Sequence, residues 1–180
     1  MTVNTKYNYE EFYQRITVVF RNDKAMTKWL QRLDTILRVL LYIAYPILLV
    51  VVFSVWANIG GASYGIYRML PYVFVPGAGF AIVSILHILL GKKRPYQQWP
   101  IEPLIEKNTS GLSMPSRHGY SAAVIAMCIW TVNPAVGAVY LALAAISAML
   151  RVVGGIHYPW DVSVGLFLGI AIGSLLFVFA

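Results

Sequence analysis

Long apolar runs are the feature that most constrains how this chain can fold. Apolar side chains make up 59% of its 180 residues and charged side chains 12%, and the mean hydropathy of +0.68 is too high for an ordinary soluble domain. Several runs approach the roughly 20 residues that a helix needs to cross a bilayer. The sequence therefore predicts an all-α integral membrane bundle of about five transmembrane helices, at residues 36–57, 68–90, 118–133, 135–150 and 161–180.

The N-terminal part differs from the rest because it is polar and basic. Apolar side chains recur there at helical spacing, at Phe12, Ile16, Val19 and Phe20. This pattern predicts an amphipathic helix that lies in the membrane interface, although a helix packed on the protein itself would show the same pattern. We therefore divide the chain into an interfacial segment, residues 1–35, and a membrane domain, residues 36–180.

Prolines and glycines indicate where the predicted helices turn, bend or pack closely. Residues 58–63 are predicted to form a turn, and Pro71 and Pro76 predict an irregular first half for the second span. The small residues Gly165, Gly169 and Gly173 repeat every four residues. This spacing favours close packing of the last helix within the chain, with a homodimer interface as the less favoured explanation.

Net charge and cysteine content restrict the partners and cofactors. In a membrane protein, a net charge of +7 favours anionic headgroups or an anionic lipid substrate over nucleic acid. Cys128 lies in an apolar run, so the sequence predicts neither a disulfide framework nor a cysteine-based zinc site. Glu102 and Glu106 stand apart on either side of Pro103, which leaves no acidic cluster for magnesium. We expect no metal, no other cofactor and no nucleic acid partner.

The polar stretches between the spans are predicted to meet at one face of the membrane. The second span exits and the third re-enters on the same side, and the third and fourth spans form a hairpin that returns there. Ionisable groups at this depth are costly and are usually functional. The residues that converge in this way are Arg94, Ser116, His118, Arg151, His157 and Asp161.

These residue types together indicate a phosphate site. Arginine pairs with phosphate oxygens in a bidentate manner and stays charged. A histidine can attack phosphorus if a carboxylate fixes its tautomer, and a second histidine can protonate the leaving oxygen. Phosphoryl transfer needs mainly this positioning and charge neutralisation. The chemistry therefore looks metal-free.

The spacing of these residues resembles the type 2 phosphatidic acid phosphatase family of membrane lipid phosphatases. That family has a Lys separated by six residues from Arg-Pro, then Pro-Ser-x-His, then Ser-Arg with a His and an Asp at fixed spacings. Here the corresponding stretches are residues 87–95, 115–118 and 150–161. The intervals of five residues between Arg151 and His157, and three between His157 and Asp161, agree with the family pattern.

The resemblance implies a role for each matching residue. His157 is expected to be the nucleophile that forms a phosphohistidine, with Asp161 bonded to its other ring nitrogen. His118 is expected to be the general acid that releases the lipid alcohol. The expected phosphate-binding residues are Arg94, Ser116 and Arg151, helped by backbone amides near residues 116–118, with His87, Lys93 and Arg117 as further candidates.

Three positions depart from the family pattern. His87 stands where the family has lysine, and Lys92 or Lys93 is a possible replacement for the missing charge. Arg117 replaces the usual glycine, and Leu150 replaces the serine before the arginine. These changes affect the expected substrate and turnover more than the expected reaction.

The resulting hypothesis is a multi-pass membrane phosphatase. It would hydrolyse phosphatidic acid, phosphatidylglycerophosphate or a polyprenyl diphosphate such as undecaprenyl diphosphate. A non-catalytic lipid-phosphate binder or transporter and a lipid phosphotransferase are alternatives on the same scaffold. With five spans, thirteen of the fourteen Lys and Arg residues lie on the active-site side, and only Arg68 lies opposite. The positive-inside rule then favours a cytoplasmic active site, although many members of the family work on the outer face.

Overall fold

The structure is a computed structural model that describes residues 8–105 and 111–179. These ranges form helices, and their only bridge between extended segments joins Lys93 and Leu112. The helices are α1 (Tyr9–Asn22), α2 (Lys24–Leu90), α3 (Pro95–Gln98), α4 (Arg117–Val132), α5 (Pro134–Val153) and α6 (Pro159–Ser174), followed by a 3₁₀ turn (Leu175–Val178). The prediction of an all-α fold is confirmed.

Helix α2 is a hairpin of two helical arms that meet at Gly61. This residue has φ 83° and ψ 173°, a conformation essentially restricted to glycine. The arms run antiparallel, since Gly65 lies against Phe53 and Tyr45 Oη donates to the carbonyl of Tyr72 over 2.8 Å. The turn predicted at residues 58–63 is thus confined to a single glycine.

The prediction of an irregular second span is wrong, because α2 stays helical through its prolines. Pro76 has no N–H and leaves the carbonyl of Tyr72, four residues earlier, without its helical donor. The phenol of Tyr45 supplies a replacement from the other arm. A proline in a membrane helix is tolerated when a neighbouring helix bonds the freed carbonyl in this way.

Helix α4 is the centre of the bundle and packs against α2, α5 and α6. Its packing on α6 depends on the three glycines of that helix. A Cβ added at Gly169 would lie 2.6 Å from the carbonyl oxygen of Tyr120, and one at Gly173 would lie 2.5 Å from the Cβ of Met127. The predicted close packing is therefore found within the chain, and a homodimer would need another surface.

Helix α1 packs on the protein, which is the second of the two explanations for its amphipathic pattern. Tyr9, Tyr13 and Thr17 are buried, whereas Val19 is 56% exposed. Tyr13 Oη donates to the carbonyl of Glu102 over 3.3 Å and accepts from the amide of Leu104 over 3.3 Å. Helix α2 runs without interruption across the proposed boundary at residues 35 and 36, so that division stays a prediction.

Three of the described helical stretches are long and apolar enough to cross a membrane: Lys24–Leu90, Pro134–Val153 and Pro159–Val178. The first contains two of the predicted spans as its two arms. Helix α4 has 16 residues and corresponds to the short third span. Large apolar side chains cover the outside of α2, as at Ile43, Ile47 and Val50, which suits contact with lipid. The number of five crossings stays a prediction.

Candidate active site

A polar pocket of about 350 Å³ lies at one end of the bundle, where α2, α4 and α5 converge. Its lining includes both histidines and the two arginines that the sequence predicts to meet. The lining residues are Arg38, Tyr42, Phe80, His87, Arg94, Arg117, His118, Ser121, Arg151 and His157. A larger pocket of about 470 Å³ around Arg68 has no histidine in its lining.

The turn after α5 carries His157 into the pocket beside Arg151. The carbonyl of Arg151 accepts from the amides of both Ile156 and His157, over 3.2 and 3.3 Å. Gly155 has φ 77°, and a Cβ there would lie 2.6 Å from Tyr13 Oη. Gly154 and Gly155 therefore let the chain fold back on itself, next to Tyr13 of α1, within the five residues that separate Arg151 from His157.

Asp161 is placed by the start of α6. Pro159 occupies the first turn, and the Asp161 carboxylate accepts from the amide of Tyr158 over 3.0 Å, as in a capping box. Lys92 Nζ lies 2.8 Å from its other oxygen, Oδ1. The sequence singled out Lys92 and Lys93 as replacements for a phosphate-binding lysine, but here Lys92 pairs with this carboxylate.

The expected contact between His157 and Asp161 is indirect. His157 Nδ1 lies 4.0 Å from Asp161 Oδ2, beyond hydrogen-bonding distance. The hydroxyl of Ser113 lies between them, 3.3 Å from Nδ1, and donates to Oδ2. Sequence reasoning missed Ser113, whose only local signal is its position three residues before Ser116.

His118 lies in the first turn of α4 between two hydroxyl groups. Its Nδ1 is 3.0 Å from Tyr42 Oη, and its Nε2 is 2.9 Å from Ser147 Oγ. Ser147 is fully buried, whereas Tyr42 lines the pocket. The edge of the ring that carries Nδ1 is therefore the one directed to the polar space.

Arg94 is buried beneath the pocket, with its Nη1 donating to the carbonyl of Ile156 over 3.4 Å. Its Nε is buried and has no hydrogen-bond partner within the described ranges. Burial lowers the pKa of this guanidinium, the Tyr96 phenol partly offsets the effect, and the positive charges of Arg151 and Arg117 lower the pKa further. An anion in the pocket would relieve both the unpaired donor and the repulsion.

Arg151 has a carboxylate partner that the sequence did not indicate. Its Nε lies 3.2 Å from Oδ1 of Asp34, on the first arm of α2, and both side chains are buried. Arg38 follows one turn later and also lines the pocket. These two α2 residues escaped prediction because they precede the stretch that carries the motifs.

Ser116 and Arg117 begin helix α4. Ser116 Oγ accepts from the amide of Gly119 over 3.2 Å, which makes it the N-cap, and Ser116 does not line the pocket. Its amide donates to the carbonyl of Asp161 over 2.9 Å. Arg117 and the N-terminus of α4 face the pocket, and a helix N-terminus favours anions.

His87 and Lys93 differ in their relation to the pocket. His87 lines it, and its Nδ1 lies 2.9 Å from the carbonyl of Pro115, which can only accept. Neutral His87 then has an acceptor at Nε2, so it would need a second proton to donate to phosphate there. Lys93 is exposed and is not brought to the pocket.

Within residues 8–105 and 111–179, no three His, Cys, Asp or Glu side chains lie together as a metal site requires. Glu106, one of the two isolated acids that the sequence predicts not to form a magnesium site, lies outside the described residues. Metal independence remains a prediction, to be tested with a chelator.

Comparison with known proteins places these residues in a family. The sequence pattern of the PAP2 superfamily matches residues 68–180. Two curated relatives, both named decaprenylphosphoryl-5-phosphoribose phosphatase, come from Mycobacterium tuberculosis strains CDC 1551 / Oshkosh and ATCC 25618 / H37Rv. Each is 33% identical over 105 residues, which cover 56% of this chain and 57% of the relative. The match thus spans little more than half the length of these relatives.

Two solved structures share the fold over nearly the whole chain. Aquifex aeolicus LpxE has a TM-score of 0.69 at 18% identity, with 99% of each chain covered. The PAP2-type phosphatidylglycerolphosphate phosphatase of Bacillus subtilis has a TM-score of 0.58 at 21% identity, with 93% of this chain and 92% of that chain covered. At these identities the likeness concerns the fold alone.

Proposed function

This chain belongs to the PAP2 superfamily, and on that premise we propose that it is a membrane lipid phosphatase. The proposed reaction releases phosphate from a lipid phosphomonoester or diphosphate through a phosphohistidine intermediate, without a metal ion. The observation that carries the proposal is that His118, His157 and the arginines Arg94, Arg117 and Arg151 line one and the same pocket.

The proposed mechanism has two displacements. First, Nε2 of His157 attacks phosphorus, the N–P bond forms, and the P–O bond to the lipid breaks as His118 gives a proton to the leaving oxygen. Then His118 takes a proton from water, the water oxygen attacks phosphorus, and the N–P bond breaks to release inorganic phosphate. The arginines neutralise the equatorial oxygens in both steps.

A lipid substrate is supported by the surroundings of the pocket. Tyr42 and Phe80, from the two arms of α2, line it, and the outer face of α2 is apolar. The curated relatives are named for a polyprenyl-linked phosphosugar, and one structural neighbour for phosphatidylglycerolphosphate. We propose the same class here: phosphatidic acid, phosphatidylglycerophosphate, undecaprenyl diphosphate or a polyprenyl-linked sugar phosphate.

The test is phosphate release from a panel of these lipids by the full chain in detergent. Release is expected to persist in excess EDTA and to vanish in His157→Ala, because the nucleophile is lost. Acid-labile ³²P should be trapped on the unmodified protein and not on that variant. Release that requires magnesium would overturn the mechanism.

Two other outcomes distinguish the alternatives on the same scaffold. Binding of a lipid phosphate without release by the unmodified protein would favour a binder or transporter. Transfer of the phosphoryl group to an added lipid alcohol, with little inorganic phosphate, would favour a phosphotransferase. Either result would replace the proposed hydrolysis.

We also propose that the pocket faces the cytoplasm. Tyr13 and Arg21 of α1 bond to the carbonyl of Glu102, which brings the basic N-terminal region to the pocket end. Cys128 is buried, so Lys28→Cys provides a single accessible thiol. An impermeant maleimide should label it in permeabilised cells only, and labelling in intact cells would reverse the orientation.

A further inference from the structure

A chain of three side chains links the proposed nucleophile to its carboxylate. Ser113 Oγ lies 3.3 Å from His157 Nδ1 and is hydrogen-bonded to Asp161 Oδ2, whereas the direct distance between Nδ1 and Oδ2 is 4.0 Å. We infer that Ser113 is the positioning residue that sets the tautomer of His157 and transmits the charge of Asp161 to it. This inference rests on the proposed phosphohistidine chemistry.

The direction of the hydrogen bonds follows from the number of protons. Asp161 faces three donors: Lys92 Nζ at 2.8 Å, the Tyr158 amide at 3.0 Å and the Ser113 hydroxyl. Donors therefore face both oxygens of Asp161, so both oxygens act as acceptors, as in a carboxylate. The single proton of Ser113 therefore points to Asp161.

The direction of this hydrogen bond determines the tautomer of His157. Because its own proton is committed, Ser113 Oγ can only accept from His157, so the ring proton must be on Nδ1. A neutral imidazole with its proton on Nδ1 has its lone pair on Nε2. Ser113 thus selects the tautomer in which Nε2 can attack phosphorus.

Ser113 is held firmly enough for this role. It is fully buried, and its amide donates to the carbonyl of Lys92 over 2.7 Å, beside the bridge between Lys93 and Leu112. The residue whose carbonyl anchors Ser113 is also the one whose ammonium pairs with Asp161. The loop that carries Ser113 and the start of α6 are therefore tied to the same lysine.

The same chain stabilises the intermediate. When the bond between Nε2 and phosphorus forms and the P–O bond breaks, the ring keeps its Nδ1 proton and becomes cationic. The hydroxyl dipole, polarised by Asp161, presents its oxygen to that proton. No proton moves to the carboxylate, and the leaving oxygen receives its proton from His118.

Ser113→Ala tests the inference, with Ser113→Thr as the variant that retains a hydroxyl. Groups that orient a metal-bound histidine typically contribute about 10- to 100-fold, and we take the same range by analogy for the group that orients His157. We expect Ser113→Ala to lower kcat by that factor with little change in KM, and Ser113→Thr to recover much of it. Ser84→Ala is the matched control, since the Ser84 hydroxyl is buried without a hydrogen-bond partner in the described part of the chain.

A tautomer measurement gives a readout that does not depend on activity. The chain has three histidines, so ¹⁵N spectra of labelled protein are simple, and His157→Ala assigns the signal. We expect His157 to carry its proton on Nδ1 in the unmodified protein and to lose this preference in Ser113→Ala. A proton on Nε2 in the unmodified protein, or an unchanged tautomer and kcat in Ser113→Ala, would overturn the inference.

The two hypotheses fail in different ways. Without phosphate release or a trapped phosphoenzyme in the unmodified protein, the proposed function fails whatever the tautomer. With release abolished by His157→Ala but unaffected by Ser113→Ala, only the role of Ser113 fails. Thermal unfolding of each variant shows whether a loss of activity reflects a loss of fold.

Discussion

The two proposed catalytic histidines, His157 and His118, lie in contrasting surroundings. His157 follows a glycine turn and is linked through Ser113 to a carboxylate that a lysine holds. His118 lies in a helix, with both ring nitrogens about 3 Å from neutral hydroxyls. A ring linked to a carboxylate is suited to carry a lasting positive charge, whereas a ring between hydroxyls is suited to gain and lose a proton. The difference matches nucleophile and general acid.

The largest expected effect comes from changing Asp161, the carboxylate that is linked to His157. Asp161→Asn keeps the shape but removes the charge and places an amide where Lys92 and Ser113 donate. By analogy with catalytic triads, we expect kcat to fall about 10⁴-fold. The rate of ³²P trapping should fall equally, because phosphoenzyme formation is the affected step. A loss of kcat below tenfold would mean that the link to a carboxylate does not distinguish the role of His157 from that of His118.

The next prediction concerns His118. The effect of removing its imidazole should depend on whether the leaving group of the substrate needs a proton. His118→Ala should lower turnover of a lipid phosphate by about 10³-fold, within the range for general acid–base catalysis. With p-nitrophenyl phosphate, whose leaving group needs no proton, phosphoenzyme should still form and accumulate. If His118→Ala traps no ³²P from that substrate, His118 is not simply the acid.

The second buried carboxylate, Asp34, pairs with Arg151 rather than with a histidine. Asp34→Asn should lower the unfolding temperature, because removing one partner of a buried ion pair costs about 3–5 kcal/mol. Inorganic phosphate should then stabilise the variant more than the unmodified protein, since it can replace the lost carboxylate beside Arg151. An equal thermal shift in both proteins would show that Arg151 does not bind phosphate.

The smallest expected effect concerns the hydroxyl of Tyr42. Tyr42→Phe removes one hydrogen bond to His118, worth about 0.5–1.5 kcal/mol, or about 2- to 10-fold in kcat. The loss should shrink with p-nitrophenyl phosphate, because proton donation no longer limits the rate. Tyr67→Phe, in the distant pocket, is the control. An equal loss with both substrates would assign Tyr42 to binding instead.

The sequence predicted the all-α class from the lengths of its apolar runs. Of the six residues that it predicted to meet, the pocket lining contains Arg94, His118, Arg151 and His157. The sequence also favoured packing of the α6 glycines within the chain. Its error over Pro71 and Pro76 came from treating a helix in isolation. Tyr45, whose hydrogen bond compensates for Pro76, lies 27 positions before its acceptor, Tyr72. No local sequence pattern indicates this bond.

The parts of the site that escaped prediction are partners of motif residues rather than motif residues themselves. Tyr42 lies 76 positions from His118, and Asp34 lies 117 positions from Arg151. A tyrosine or an aspartate near an apolar run carries no sign of such a partner. The choice between Lys92 and Lys93 likewise depends on which side chain faces α6, which composition cannot decide.

The hydrogen bond of the Tyr45 phenol has a consequence for the proposed lipid-binding pocket. This hydrogen bond, to the carbonyl of Tyr72, joins the two arms of α2. Tyr45 lies about one turn from Tyr42 on the first arm, and Tyr72 lies about two turns from Phe80 on the second. We therefore expect the angle of the hairpin to determine the separation of these two aromatic rings at the pocket. On the proposed function, a lipid that enters between them would be limited by that angle in the girth of its acyl or prenyl chain.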